Sequence, residues 1–325
     1  MLSRTADHLF WMARYMERAE NTARLLDVQY QTSLMPERDG HIQAGWNALL
    51  GISELHEIYH RTHNLVNAAQ VMQFMVRDTG NLSSIASCLS AARENARAVR
   101  SALTTELWET TNQTWLEFMR MLVSGALERD PSAVFEWVKF RSHLCRGVAV
   151  GTMLQDEALH FIRIGTFLER SDNTARLLDV KFHGSGHEMV LAKQSAKTAQ
   201  THDLHTETDF YHWSALLRSL SAFEIYRRVY SSVIQPEKVA ELLILRPDMP
   251  RSLAACMNEV VNNLNMVANA QSQETCRRVG RLRSDLQFSR IDEILDGGLH
   301  AYLTQFLARI NDIGARISKD FLVAA

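Results

Sequence analysis

Residues 17–28 read Glu-Arg-Ala-Glu-Asn-Thr-Ala-Arg-Leu-Leu-Asp-Val, and residues 169–180 read Glu-Arg-Ser-Asp-Asn-Thr-Ala-Arg-Leu-Leu-Asp-Val. Ten of the twelve positions are identical, and the two exceptions are conservative, Ala19 against Ser171 and Glu20 against Asp172. At ordinary composition chance would match about one position in fifteen. The repetition extends outward. His8 matches His160 at the same spacing of 152. Trp46-Asn-Ala-Leu-Leu with Glu57-Ile-Tyr59 matches Trp213-Ser-Ala-Leu-Leu with Glu224-Ile-Tyr226, at a spacing of 167. Ser84-Ile-Ala-Ser-Cys88 matches Ser252-Leu-Ala-Ala-Cys256 more weakly. The order is preserved, so the chain reads as two tandem, diverged repeats, 1–152 and 153–325, related by a pseudo-two-fold axis in one double bundle. The change in spacing places an inserted loop near 183–212, a stretch with five histidines.

The rest of the composition agrees with an all-α helical bundle. Proline occurs only five times in 325 residues, and Ala, Leu, Arg, Glu and Met are abundant. Breaks are expected at Pro36 to Gly40, Gly80, Asp130-Pro131, Gly184 to Gly186, Pro236, Arg246 to Pro250 and Gly297-Gly298. Between them run segments with helical apolar spacing, which predicts about five or six helices per half. Net charge is only −2, with no clustered basic excess, so nucleic acid is not expected as a partner. No apolar run is long enough to span a membrane. The four cysteines are widely spaced and form no Cys-x-x-Cys pair. They read as reduced thiols of a cytoplasmic protein.

On a helical wheel of residues 8–30, Glu17, Asn21 and Arg24 share one narrow sector with Arg14 at its edge, and apolar residues cover the rest. Such a helix is expected to be buried. Its charges must then be paired, because an isolated buried carboxylate or guanidinium is very costly. Glu169, Asn173 and Arg176 repeat the arrangement. The expectation is that the two helices lie together, with Glu17 meeting Arg176 and Glu169 meeting Arg24. Two roles compete. One is a buried network that holds helix register. The other is an anion- or amide-binding cleft lined by Arg24 and Arg176, with Glu17 and Glu169 as catalytic acid/base groups. Retention in both halves favours the first.

A second polar cluster, Arg93-Glu94-Asn95-Ala96-Arg97, corresponds in position to Val261-Asn262-Asn263-Leu264-Asn265 in the other half, which has lost the charges. It is therefore a candidate binding surface specific to one half. His56-Glu57-Ile-Tyr-His60 fits the zinc-protease pattern. The matching Phe223-Glu224-Ile-Tyr-Arg227 keeps the Glu-Ile-Tyr and not the histidines, so His56 and His60 are weak metal candidates. No phosphate loop and no Gly-x-Gly-x-x-Gly occurs, and no cofactor is expected.

Met1-Leu-Ser-Arg4, Trp11, Arg14-Tyr15, Glu17-Arg18-Ala-Glu-Asn-Thr-Ala-Arg24, Arg93 to Arg97 and His160 through Arg176 closely resemble the bacterial Alpha-E family. The resemblance spans essentially the whole chain. One departure is Gly165-Thr166, where Gly-Arg is the family pattern. Members of that family resemble partners of circularly permuted ATP-grasp ligases and occur near transglutaminase-like proteins. The resemblance implies an accessory helical protein in small-peptide or amide synthesis or modification, with ATP chemistry supplied by the ligase. The alternatives are an enzyme of amide transfer or hydrolysis using a Glu/Arg cleft, and a metal-dependent helical bundle.

Overall fold

A computed structural model describes residues 2–34, 39–184 and 213–322. Among these the chain is all-α, with no strand. The opening helix α1 runs Ser3–Ser33 without a glycine or proline. It is followed by α2 (Asp39–Ile52), α3 (His56–His60), α4 (Ala68–Val76), α5 (Ile85–Ala98), α6 (Thr105–Val123), α7 (Ala126–Arg129) and α8 (Pro131–Thr152). Then come α9 (Glu157–Gly184), α10 (213–219), α11 (Phe223–Tyr230), α12 (Pro236–Ile244), α13 (Leu253–Met266), α14 (Gln273–Phe288), α15 (Ile291–Asp296) and α16 (Leu299–Phe321). The elements are shorter and more numerous than the expected five or six per half. Extra breaks at Asn67 and Thr104 come from side-chain caps with no proline or glycine beside them, whereas Ser84, Asp130 and Ser252 cap helices at or just after the breaks expected at Gly80, Asp130-Pro131 and Arg246 to Pro250. Asn67, Ser84, Thr104, Asp130 and Ser252 each accept a backbone N–H of the following first turn. Glu54 and Ser221 end α2 and α10 in the left-handed region, at φ 55° and 53°.

The order of elements recurs along the chain. α4 and α12 begin at 68 and 236 and end at 76 and 244, and α5 and α13 span 85–98 and 253–266. Both pairs are offset by 168 at each end. Ser84 and Ser252 cap matching helices, and the fully buried Tyr59 and Tyr226 donate to the backbone carbonyls of Leu65 and Val233.

α1 and α9 are the central helices. α1 packs on α9, α5 and α8, and α9 packs on α1, α13 and α16. The apolar residues of α1 divide between two cores. Ala6, Leu9, Phe10, Met12 and Ala13 belong to a large cluster with Leu159, Ile164, Trp213, Leu253 and Phe306. Met16, Ala19, Ala23 and Leu26 belong to a second cluster with Trp46, Tyr59, Phe118 and Phe135. Full burial of one such large side chain contributes roughly 1.5–3 kcal/mol. α1 therefore ties residues on both sides of position 152 into common packing. The close approach depends on Gly165. A Cβ there would lie 2.4 Å from the Phe10 carbonyl oxygen and 3.4 Å from Ala13 Cβ. Residues 185–212, which hold nearly all of the expected inserted loop, lie outside the described residues.

Candidate functional site

The crossing of α1 and α9 brings two Glu-Arg dipeptides face to face. Arg170 grips Glu17 with two bonds, Nε to Oε1 at 2.8 Å and Nη2 to Oε2 at 3.0 Å. Arg18 grips Glu169 in the same forked way, Nε to Oε1 at 2.5 Å and Nη2 to Oε2 at 3.1 Å. Each glutamate is thus held by the arginine that follows the other glutamate. Bidentate forks of this kind combine two charge-assisted bonds with a defined orientation. The arginine stems are braced alike, Arg18 over the Tyr15 ring and Arg170 over the Phe167 ring.

This differs from the expected pairing of Glu17 with Arg176 and of Glu169 with Arg24. The ion-pair partners, Arg170 and Arg18, sit six residues earlier, nearly two turns of helix, because the helix wheel records where a side chain leaves the backbone and not how far an arginine reaches. Arg24 instead pairs with Glu20 on its own helix, at 2.8 Å, and Arg176 pairs with Asp172, at 2.7 Å. The other face of each guanidinium crosses to a turn of the opposite half. Arg24 Nη1 donates to Ser221 Oγ at 2.6 Å, and Arg176 Nη1 donates to Glu54 Oε1.

Around Glu17 the network is denser than around Glu169. Arg146 Nη1 donates to Glu17 Oε2 at 2.8 Å, to Glu20 Oε2 at 2.5 Å and to Ser142 Oγ at 2.9 Å. Arg251 Nη1 donates to Glu17 Oε1 at 3.2 Å and to Asn21 Oδ1 at 3.1 Å, and its Nη2 reaches Glu20. Asn21 accepts from Arg251 rather than bonding Glu17, and its buried Nδ2 has no partner. Among the described residues Glu169 has only Arg14, at 2.8 Å, beside Arg18. The residue matching Arg14 is Thr166, whose hydroxyl is turned back to the Ile162 carbonyl. A cavity of about 30 Å³ remains between Thr166, Glu17, Arg146 and Thr111, room for about one water.

Burial alone would raise the pKa of these carboxyls. The guanidiniums outweigh it. Arg170, Arg251 and Arg146 hold Glu17 below the usual range, despite opposition from Glu20. Glu20 is held further down by Arg251, Arg146 and Arg24. Arg14 and Arg18 lower Glu169 in the same manner. Arg251, almost wholly buried, is pushed down to about 10 by burial and by Arg170 and Arg24, against the pull of Glu17 and Glu20.

A family model named Alpha-E, described as a predicted alpha-helical domain with a conserved ER motif, matches residues 1–322. The chain belongs to the Alpha-E family. No curated protein and no solved structure matches it. In this Alpha-E chain the Glu-Arg dipeptides at 17–18 and 169–170 pair with each other. They join the two central helices.

The remaining sequence candidates lie elsewhere. Asn95 Oδ1 accepts from His8 Nδ1 at 2.8 Å, and the matching Asn263 Oδ1 accepts from His160 Nδ1 at 2.8 Å. Asn95 thus joins α5 to α1 as Asn263 joins α13 to α9. Arg93 bonds Asn112 and Glu94, and Arg97 bonds Glu94, on a half-exposed to exposed helix face. Asn173 is half-buried on α9. The His56 and His60 rings stack at 6.2 Å, and His60 Nδ1 contacts the His63 carbonyl. Among the described residues no group of three His, Cys, Asp or Glu side chains is placed to hold a metal ion. The cysteines are free thiols, and burial pushes Cys88 and Cys256 up to about 12. No helix is long and apolar enough to cross a membrane among the described residues.

Sequence reasoning named Glu17, Glu169, Arg14, Asn21 and Arg24 and missed Arg18, Arg170, Glu20, Arg146 and Arg251. Arg18 and Arg170 carried a usable signal, since both dipeptides are identical. Arg146 and Arg251 carried none. Their positional matches in the other half are Gly314 and Ser83.

Proposed function

We propose that this chain is a non-catalytic accessory protein, built from two tandem copies at 1–152 and 153–325. It would dock a circularly permuted ATP-grasp ligase, or present that ligase's substrate, during small-peptide or amide synthesis or modification. A transglutaminase-like protein would belong to the same system. The observation that carries the non-catalytic half of the reading is the commitment of the glutamates. Glu17, Glu20 and Glu169 are each bound by two or more guanidiniums and buried, at 1%, 0% and 6% exposure. A general acid needs a pKa near the working pH and reach to a substrate. These carboxyls are displaced in the opposite direction, and their oxygens are already occupied. The ligase partnership rests on the family resemblance of the opening and Glu-Arg segments, together with the lack of any phosphate-binding loop in the sequence.

The test is affinity purification of the tagged full chain from its native host, followed by reconstitution. Stoichiometric recovery of an ATP-grasp ligase whose turnover falls without the chain supports the reading. A ligase that is fully active and unassociated in its absence overturns it. Amide-transfer activity that disappears in a Glu17→Gln variant with an unchanged melting temperature would reinstate the enzyme.

A further inference from the structure

The two charge clusters differ in balance. Glu169, Asp172 and Glu54 face Arg14, Arg18 and Arg176, three carboxylates against three guanidiniums. Glu17 and Glu20 face Arg24, Arg146, Arg170 and Arg251, two against four. Two positive charges are therefore left uncompensated among the described residues. Much of this cluster is enclosed, with Arg251 at 5% and Arg24 at 8% exposure. Unbalanced guanidinium charge in such a place favours a counter-anion strongly.

Comparison of the two halves locates the missing charge. The turn residues 54 and 221 share a left-handed backbone, and each receives the Nη1 of the arginine from the opposite half. At 54 the acceptor is a carboxylate. At 221 it is a neutral hydroxyl. Between Arg24 and Arg146 stands His143, with Nδ1 2.7 Å from Arg146 Nη2 and Nε2 3.2 Å from Arg24 Nη2. A neutral imidazole accepts at one nitrogen only, so one guanidinium N–H faces an N–H there and gains no bond. Burial and the surrounding arginines push the His143 pKa below its ordinary value, against the pull of Glu20, and this lowering favours the neutral ring. His143 and Ser221 are both exposed, so the mouth of the cluster opens to solvent.

We propose that the mouth formed by Arg24, Arg146 and Ser221 binds an oxyanion, a carboxylate or a phosphate. The ligand stands where the Glu54 carboxylate stands opposite Arg176 and displaces the exposed His143 ring from between the two guanidiniums. This site goes beyond the ligase partnership and does not depend on it.

The test uses the full chain near neutral pH at constant ionic strength, titrated with inorganic phosphate in one arm and acetate in the other, against chloride. The expected result is saturable one-to-one binding by calorimetry, with a rise in melting temperature. The arm that binds more tightly identifies the source of the oxyanion. Ser221→Glu supplies the missing carboxylate internally, on a backbone that Glu54 already adopts. It should melt above the wild type without ligand and lose oxyanion affinity by about tenfold or more. His143→Glu, on an exposed helical position, gives the same readout if the turn variant does not fold, and His143→Gln should still bind. Absence of saturable binding of both anions up to about 10 mM, or a carboxylate variant that binds as tightly as the wild type, overturns the proposal.

Discussion

Replacing Glu17 with Gln probes the paired dipeptides most directly. The side chain keeps its shape, but it loses its charge and one acceptor oxygen. In the wild type its two oxygens accept four bonds, from Arg170 twice, Arg146 and Arg251, at 2.8–3.2 Å. The new amide NH₂ would face guanidinium N–H groups and could accept none of them. Glu20 would then be the one carboxylate among the four guanidiniums that now share two. Breaking one partner of a buried ion pair costs about 3–5 kcal/mol. For a chain of this length that is a fall of about 4–7 °C in melting temperature. Glu169→Gln is the internal comparison. Its partners Arg14 and Arg18 keep 20% and 28% side-chain exposure, so water can replace part of what is lost. A loss of about 1.5–3 kcal/mol is expected there, in line with bonds to charged groups. Urea unfolding followed by far-ultraviolet circular dichroism measures both. A Glu17→Gln protein within about 1 kcal/mol of the wild type would refute the claim that the crossed pairs hold the central helices.

Acid should destabilise the fold in a defined window. Glu17, Glu20 and Glu169 have folded-state pKa values below 4.5, so their contribution is complete above that pH and disappears as the pH falls through the lowered values. Denaturant midpoints between pH 7 and 3 test this, and Glu17→Gln should flatten the acid limb. Gly165→Ala should destabilise by about 1–3 kcal/mol despite its better helix propensity, since the added methyl meets the Phe10 carbonyl of α1; a melting temperature equal to or above the wild type would contradict the close helix approach.

The helical class, the burial of the central helices and the matched caps at Ser84 and Ser252 follow from local pattern. Apolar spacing, scarce proline and a serine before an apolar run act over a few residues, and sequence displays such effects directly. Burial of Glu17, Asn21 and Arg24 was legible for the same reason, because apolar residues nearly surround them on α1. By its charges the Arg93–Arg97 segment looks peculiar to one half. The loss of charge at 261–265 hid the shared Asn95 and Asn263 contacts, which depend on a histidine from another helix.

What the amino-acid sequence determined by itself is that two like helices, each carrying a Glu-Arg pair, must sink into a helical interior with their charges satisfied. Which arginine satisfies which glutamate was decided only in three dimensions. Arg146 and Arg251 lie 129 and 234 residues from Glu17 along the chain; Arg146 meets it because α8 packs on α1, and Arg251 because it leads into α13, which packs on α9 where α9 presses against α1 at Gly165. The reason is geometric. A guanidinium on a flexible stem can reach several positions around a helix, and the rotation of the two helices at their contact selects one.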